Sequence, residues 1–320
     1  MAGHIAIVGL GRTGVAIGLG LKRSMFLDVE VWGHDKEPEA AKAARRSGAI
    51  DKVKHNLPSA VSGAKLVVLA APASQTAGIL RTIASSMLPG SVVTDTRGAK
   101  ASVLRLAKEH LPDSVGFVAG HPIPALNKLI SDAVRLFEGG TYCIVGSSGT
   151  PEGAFKDVTN LATLLGATPY FMSVEEHDSY RAVTEVLPTL LSAALIETVR
   201  ESGGWQEILK VAGPNFGAAT LSGAVPPMDA ATDAIENREV VLRWLDDVSE
   251  RLAELRSLVD GGEQAEEPLA DKLARAFVAR EDLGKPADPD DSGLAALPDA
   301  AEGAQQFFFG NLFRWGRRKN

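Results

Sequence analysis

The stretch that most constrains this chain is Gly9-Leu10-Gly11-Arg12-Thr13-Gly14. A short run rich in β-branched residues, His4-Ile5-Ala6-Ile7-Val8, precedes it, and Val15-Ala16-Ile17-Gly18-Leu19 reads as the start of a helix. A second apolar run, Val29-Glu30-Val31-Trp32-Gly33, ends in His34-Asp35. Strand, glycine turn, helix, strand and terminal acid, in that order, form the pattern of a β-α-β unit that binds a dinucleotide. Gly9 permits the tight turn out of the strand. Gly11 lets a pyrophosphate approach the backbone, and Gly14 lets the helix pack closely on the strand. The first N–H groups of the helix then face the phosphates, where the helix dipole favours negative charge.

Asp35 stands 21 residues after Gly14. A carboxylate there accepts hydrogen bonds from the adenosine ribose and repels a 2′-phosphate, which favours NAD over NADP. Lys36 and the Arg45-Arg46 pair are near enough in sequence to soften that preference. Solvated charges on a surface helix are the other reading of the three, and NADP stays open.

More strand-like runs follow: Leu66 to Ala70, Ser91 to Thr94, Val115 to Val118, Thr141 to Val145 and Thr168 to Met172. Helical stretches alternate with them, such as Gln75 to Met87, Ala101 to His110 and Phe155 to Leu165. Continuous apolar strands alternating with helices specify an α/β fold, a doubly wound, Rossmann-type, mostly parallel sheet covered on both faces. This expectation assigns residues 1–172 to a nucleotide-binding domain.

Residues 173–260 read as an all-helical domain. Val174 to Arg200 reads as one long apolar helix that Pro188 should kink. Val241, Leu245, Val248, Leu252, Leu255 and Val259 are spaced alternately four and three apart, the seam of a helix packed against other helices. That seam is either intrachain core or a dimer interface. Residues 261–320 read as an acidic, largely disordered tail with one short helix around Leu269 to Val278. The tail ends in an aromatic and then basic segment, 307–319. Its two readings are a docking or membrane-surface contact and a tail folded onto its own body.

The formal net charge of −7 gives no support for nucleic-acid binding. Cys143 is the one cysteine, so no intrachain disulfide forms, which suits a reducing cytoplasm. No signal-type segment opens the chain, and no stretch looks long and apolar enough to span a membrane. The expected location is cytoplasmic. The histidines show no metal-ligand spacing, so no metal is expected.

In a doubly wound sheet the ligand lies outside the C-terminal strand ends. Three segments there stand out. Ala70-Ala71-Pro72 has small residues that let backbone approach a nicotinamide. Asp95 to Lys100 carries Arg97 and Lys100, each either a cation for an acidic substrate or a solvated charge. Gly120-His121-Pro122 reads as a loop after a strand. His121 is the catalytic candidate, because an imidazole can take the hydroxyl proton while the adjacent C–H gives hydride to a nicotinamide. His177-Asp178 opens the long helix, where an acid in the first turn suits the dipole.

Taken together, these landmarks resemble the prephenate/arogenate dehydrogenase family from about Ile5 to Val259. They are the glycine turn with Asp35, Ala71-Pro72, Asp95 to Lys100, Gly120-His121-Pro122, Glu176-His177-Asp178, Leu187-Pro188 and Ala212 to Phe216. The resemblance implies a helical C-terminal domain that forms a homodimer. It also implies oxidative decarboxylation of a cyclohexadienyl acid, NAD(P) as hydride acceptor, and His121 contacting the ring hydroxyl. The chain departs from the family pattern on the substrate side. Gly98 stands where a serine is expected, and Glu185-Val186-Leu187-Pro188-Thr189 lacks two expected histidines. Leu221 takes the place of an arginine that grips a substrate carboxylate. Arg97 then becomes a substitute cation and Glu185 a charge in the pocket. Two readings remain open: a working dehydrogenase for a small carboxylic acid, or a divergent member with another substrate or a nucleotide-sensing role.

Overall fold

The computed structural model describes residues 3–24, 29–126, 133–147, 149–223 and 225–283. The aromatic-basic segment 307–319 and the acidic stretch after Leu283 lie outside them. By internal contacts the chain forms two units, one of residues 3–97 and 103–173, the other of 98–102 and 174–283.

The first unit is an eight-stranded sheet in the order β3-β2-β1-β4-β5-β6-β7-β8. Its strands are β1 (His4–Val8), β2 (Val31–His34), β3 (Lys52–Val53), β4 (Ala64–Leu69), β5 (Val92–Asp95), β6 (Gly116–Ile123), β7 (Thr141–Val145) and β8 (Thr168–Phe171). All neighbours are parallel except β6 and β7, which run antiparallel. The connecting helices are α1 (Arg12–Arg23), α2 (Pro38–Arg46), α3 (Leu57–Val61), α4 (Thr76–Ile83), α5 (Lys100–His110) and α6 (Glu152–Leu164). Alternate side chains of the central strands feed two apolar cores. Ile5, Ile7, Leu66 and Val68 pack with Ile17 and Leu21 of α1 and with Val158 and Leu161 of α6. Ala6, Val8, Val67 and Leu69 pack with Ile79, Leu80 and Ile83 of α4. A strand buried on both faces has no polar side, which is why these runs carry no alternation. Cys143 is a buried free thiol in β7.

One element differs from its sequence reading. Gly120-His121-Pro122 is not a loop beyond a strand; it lies within β6. The first half of β6 pairs with β5 up to Thr94↔Val118. From Ala119↔Val145 to Ile123↔Thr141 it pairs antiparallel with β7, so the strand runs on past its parallel neighbour.

The second unit holds α7 (Val174–Arg181), α8 (Leu187–Glu201), α9 (Trp205–Val211), α10 (Pro214–Thr220), α11 (Pro227–Glu236), α12 (Arg238–Asp260) and α13 (Glu266–Asp282). A π turn, Ala182–Val186, joins α7 to α8. Pro188 has no N–H for the carbonyl of Thr184, and the Leu187 N–H reaches back to the Ala182 carbonyl instead. The interruption therefore falls where proline chemistry requires it.

Two expectations are corrected here. Val174 to Glu201 is long and apolar enough, by length and composition, to cross a membrane, contrary to the reading that no stretch is. Only 22% of its most apolar window is buried within this chain, and Leu191 and Leu195 are exposed. The helix expected around Leu269 to Val278 is present but longer, running from Glu266 to Asp282, so the helical part of the chain extends past the boundary expected at 260. The apolar seam on α12 divides. Val241 is buried with Ala182 and Val186, and Leu245 packs against them. Leu252 and Val259 farther along are exposed.

Candidate functional site

The glycine turn is built from backbone. Gly9 sits at φ +93°, a conformation that side-chain-bearing residues rarely adopt. A Cβ there would also meet the Ala70 carbonyl at 2.6 Å and the Ala71 nitrogen at 2.7 Å. Ala70 and Ala71 of the Ala70-Ala71-Pro72 segment thus lie directly against the turn, and the Ala70 N–H bonds the Val8 carbonyl at 2.7 Å. A Cβ on Gly14 would overlap the Gly9 carbonyl oxygen, so α1 could not lie this close to β1 with any other residue. Gly11 is different. It precedes the first residue of α1, and a Cβ there would meet no described atom within 4 Å. Open space above a helix N-terminus, with no capping side chain in it, is what a phosphate needs. Arg12 is exposed and Thr13 half-buried in the first turn of α1.

Asp35 lies just beyond β2, half-buried. Its Oδ2 accepts from the Leu10 N–H at 2.7 Å and its Oδ1 from the Glu37 N–H at 2.8 Å. The same carboxylate that would meet a ribose therefore also orders the glycine turn. Sequence reasoning missed this second role, although the 25-residue separation of Leu10 and Asp35 is a normal β-α-β span.

At the ends of β5 and β6 the polar residues are buried. Asp95 is fully buried; its Oδ1 accepts from the Gly120 N–H at 3.0 Å and its Oδ2 from the Arg97 N–H at 2.9 Å. Gly120 leaves room for the Tyr142 hydroxyl and the Thr94 Oγ1, which a Cβ would approach at 2.7 and 2.8 Å. Burial first, and then the Asp95 charge, push the Tyr142 phenol up, so it stays protonated. His121 follows on the strand and is 8% exposed. Asp95, the residue that ties these segments together, was read in the sequence only as the start of the Asp95 to Lys100 landmark, with no role of its own.

Two solvated readings are excluded. Arg97 is 8% exposed and Lys100 is fully buried.

The segment 98–102 is held by side chains of the helical unit. Asp178 accepts from the Lys100 N–H at 2.8 Å and the Ala101 N–H at 3.0 Å. It also meets His177 Nδ1 at 2.9 Å. Asp178 therefore caps the start of α5 rather than complementing the dipole of its own helix, as its position in α7 had suggested. Burial acts to raise its pKa, but the bonds from His177 and the two backbone N–H groups outweigh it and hold the carboxyl below its ordinary value. Ser102 Oγ bonds Glu236 at 2.7 Å. Arg181 lies over Gly98, where any Cβ would overlap its guanidinium. Glu185, expected as a lone charge in a pocket, instead bonds Arg181 Nε at 2.9 Å, and Asp233 takes Nη2. Leu221 is 66% exposed, and residues Ala212 to Phe216 line an open depression with Ile208 and Val211.

A glycine turn facing open space, an acid at the next strand end and a buried histidine on β6 are the features the sequence reading expected of a nucleotide-binding site. The models of two prephenate dehydrogenase domains match most of the chain: the nucleotide-binding domain over residues 17–170 and the dimerization domain over 173–275. The chain belongs to the prephenate dehydrogenase family.

Among its relatives, the prephenate dehydrogenase of Bacillus subtilis (strain 168) is 28% identical over 288 residues, covering 88% of this chain and 75% of its own. The cyclohexadienyl dehydrogenase of Zymomonas mobilis is 27% identical over 260 residues, covering 80% and 88%. The fold matches that of the A. aeolicus prephenate dehydrogenase solved with hydroxyphenyl propionate and NAD+. That match has a TM-score of 0.77 and 24% identity, over 88% of this chain and 98% of the other.

Proposed function

We propose that this protein is an NAD-dependent dehydrogenase that oxidatively decarboxylates a cyclohexadienyl acid of the prephenate or arogenate type. The observation that carries the reading is the pairing of an open Gly11 turn, ordered by Asp35, with a buried His121 on β6. Gly9 to Gly14 hold the pyrophosphate and Asp35 the adenosine ribose, which selects NAD over NADP. Ala70, Ala71 and Pro72 line the approach of the nicotinamide. NAD, when bound, supplies the hydride acceptor. His121 takes the proton from the ring hydroxyl as the adjacent carbon loses hydride. The ring carboxylate leaves as CO2, and its electron pair completes the aromatic ring. The proton returns from His121 to the phenol oxygen, so none is gained or lost overall.

The dimerization-domain match and the exposed Leu191 and Leu195 on α8 support a homodimer. The single, buried free cysteine fits a cytoplasmic setting.

The test is NADH formation from prephenate and from arogenate with each nucleotide. Turnover with NAD exceeding that with NADP is expected. Absence of turnover with both acids would favour a divergent substrate, the reading to which the apolar, exposed Leu221 points.

A further inference from the structure

The geometry points to Arg181 as the residue that binds the substrate's carboxylate, in a charge setting that disfavours a ligand with two net negative charges. This inference deepens the dehydrogenase reading and rests on it. Arg181 is 8% exposed, yet its Nη1 is buried with no hydrogen-bond partner among the described residues. The other two edges of the guanidinium are taken, Nε by Glu185 and Nη2 by Asp233. A planar guanidinium pinned along two edges presents its third in a fixed direction, the arrangement suited to a carboxylate. A buried donor of a charged group without an acceptor is costly to keep, and a ligand that supplies one removes that cost.

Gly98 is the matching half of the arrangement. A Cβ at that position would overlap Nε, Cζ and Nη2 of Arg181, so the guanidinium occupies the space of a missing side chain. The glycine in place of an expected serine is thus explained by what lies on it. Leu221 offers no charge, and Arg181 supplies one from a different helix.

One cation with two carboxylates leaves a formal excess of one negative charge. A ligand with two net negative charges adds to that excess, whereas an ammonium group beside the bound carboxylate meets Glu185 or Asp233. Prephenate and arogenate both carry two carboxylates, but the ammonium of arogenate leaves it one net negative charge, so the same setting selects the amino acid over the keto acid.

The test uses the full-length protein in Gly98→Ala, Arg181→Lys and the charge-compensated Arg181→Met/Glu185→Gln/Asp233→Asn forms. Calorimetry with NAD present measures binding of hydroxyphenylpropionate, a monocarboxylate that cannot react. Gly98→Ala and the compensated form should each lose about tenfold or more in affinity for it. NAD affinity and melting temperature should stay near wild type in the compensated form, which leaves no buried charge unpaired. Arg181→Lys should bind more weakly than wild type, because an ammonium lacks the fixed fork. Glu185→Gln should lower the ratio of arogenate to prephenate kcat/KM. Wild-type affinity in the folded compensated form, or no binding by wild type, overturns the proposal. Arg181-dependent binding without turnover of either acid would instead keep this site and overturn the assigned reaction.

Discussion

The turn between β1 and α1 and the segment 98–102 do related work by opposite means. The first is made almost wholly of backbone. Gly9, Gly11 and Gly14 act through the absence of side chains, and Asp35, the one side chain involved, bonds backbone N–H groups. The second is held by Asp178, Arg181 and Glu236, residues 76 or more positions away, with Gly98 as the only glycine. A site made of backbone tolerates drift in everything except its glycines. A site made of remote side chains can be re-specified by a few substitutions while the fold stays intact. That contrast matches the sequence reading, in which the nucleotide side keeps the family pattern and the substrate side departs from it.

The widest test of the contrast lies at His121, the proposed general base. His121→Ala should lower turnover by about 10²–10⁴ while NAD affinity is unchanged, measured by steady-state kinetics and calorimetry. Turnover close to wild type would make the residue structural. At Asp35, replacement by Ala should weaken NAD binding by about ten- to a hundredfold, the worth of a charge-assisted hydrogen bond, and narrow the preference over NADP. Unchanged NAD affinity would move the ribose elsewhere.

The glycines sharpen the backbone half. Gly11→Ala should keep the melting temperature of the free protein, because the space above it is open, yet weaken NAD by about tenfold. Gly14→Ala should lose stability as well, since its Cβ overlaps the Gly9 carbonyl; overpacking of this kind costs about 1–3 kcal/mol. Equal behaviour of the two variants would mean that Gly11 serves packing rather than phosphate.

The smallest effect is expected on the side-chain half. Asp178→Ala should cost about 0.5–2 kcal/mol, the usual worth of a helix cap. Its pKa is lowered in the folded state, so the stabilisation is present above the unfolded value of about 3.9 and is lost as pH falls through the folded value. Denaturation curves of wild type and variant should therefore differ at neutral pH and converge in strong acid. A gap that persists in acid would assign the effect to packing.

The β-α-β unit and most strand positions were legible because local patterns carry them: period, glycine spacing and a terminal acid. The position of His121 was misread because β6 outruns β5 only by pairing with β7, a contact between segments whose register no local pattern records. The caps at Lys100 and Ala101 and the seat of Arg181 over Gly98 were illegible for the same reason. Each depends on which side chain of a distant helix arrives there. Helix α13 was underestimated because its acidic, alanine-rich sequence has a composition that helices and disordered tails share.

The π turn at Ala182–Val186 gives the long helix a reserve of length that regular helix lacks. A five-residue turn stores one residue more than regular helical geometry needs over the same rise. Losing Thr184 would use up that reserve, so the residues after it would keep nearly their present phase about the axis, with Leu187 and Ser192 still buried and Leu191 and Leu195 still exposed. Losing Ala194 instead would turn everything after it by about 100°. The same loss of one codon is absorbed at the first place and felt along the rest of α8 at the second.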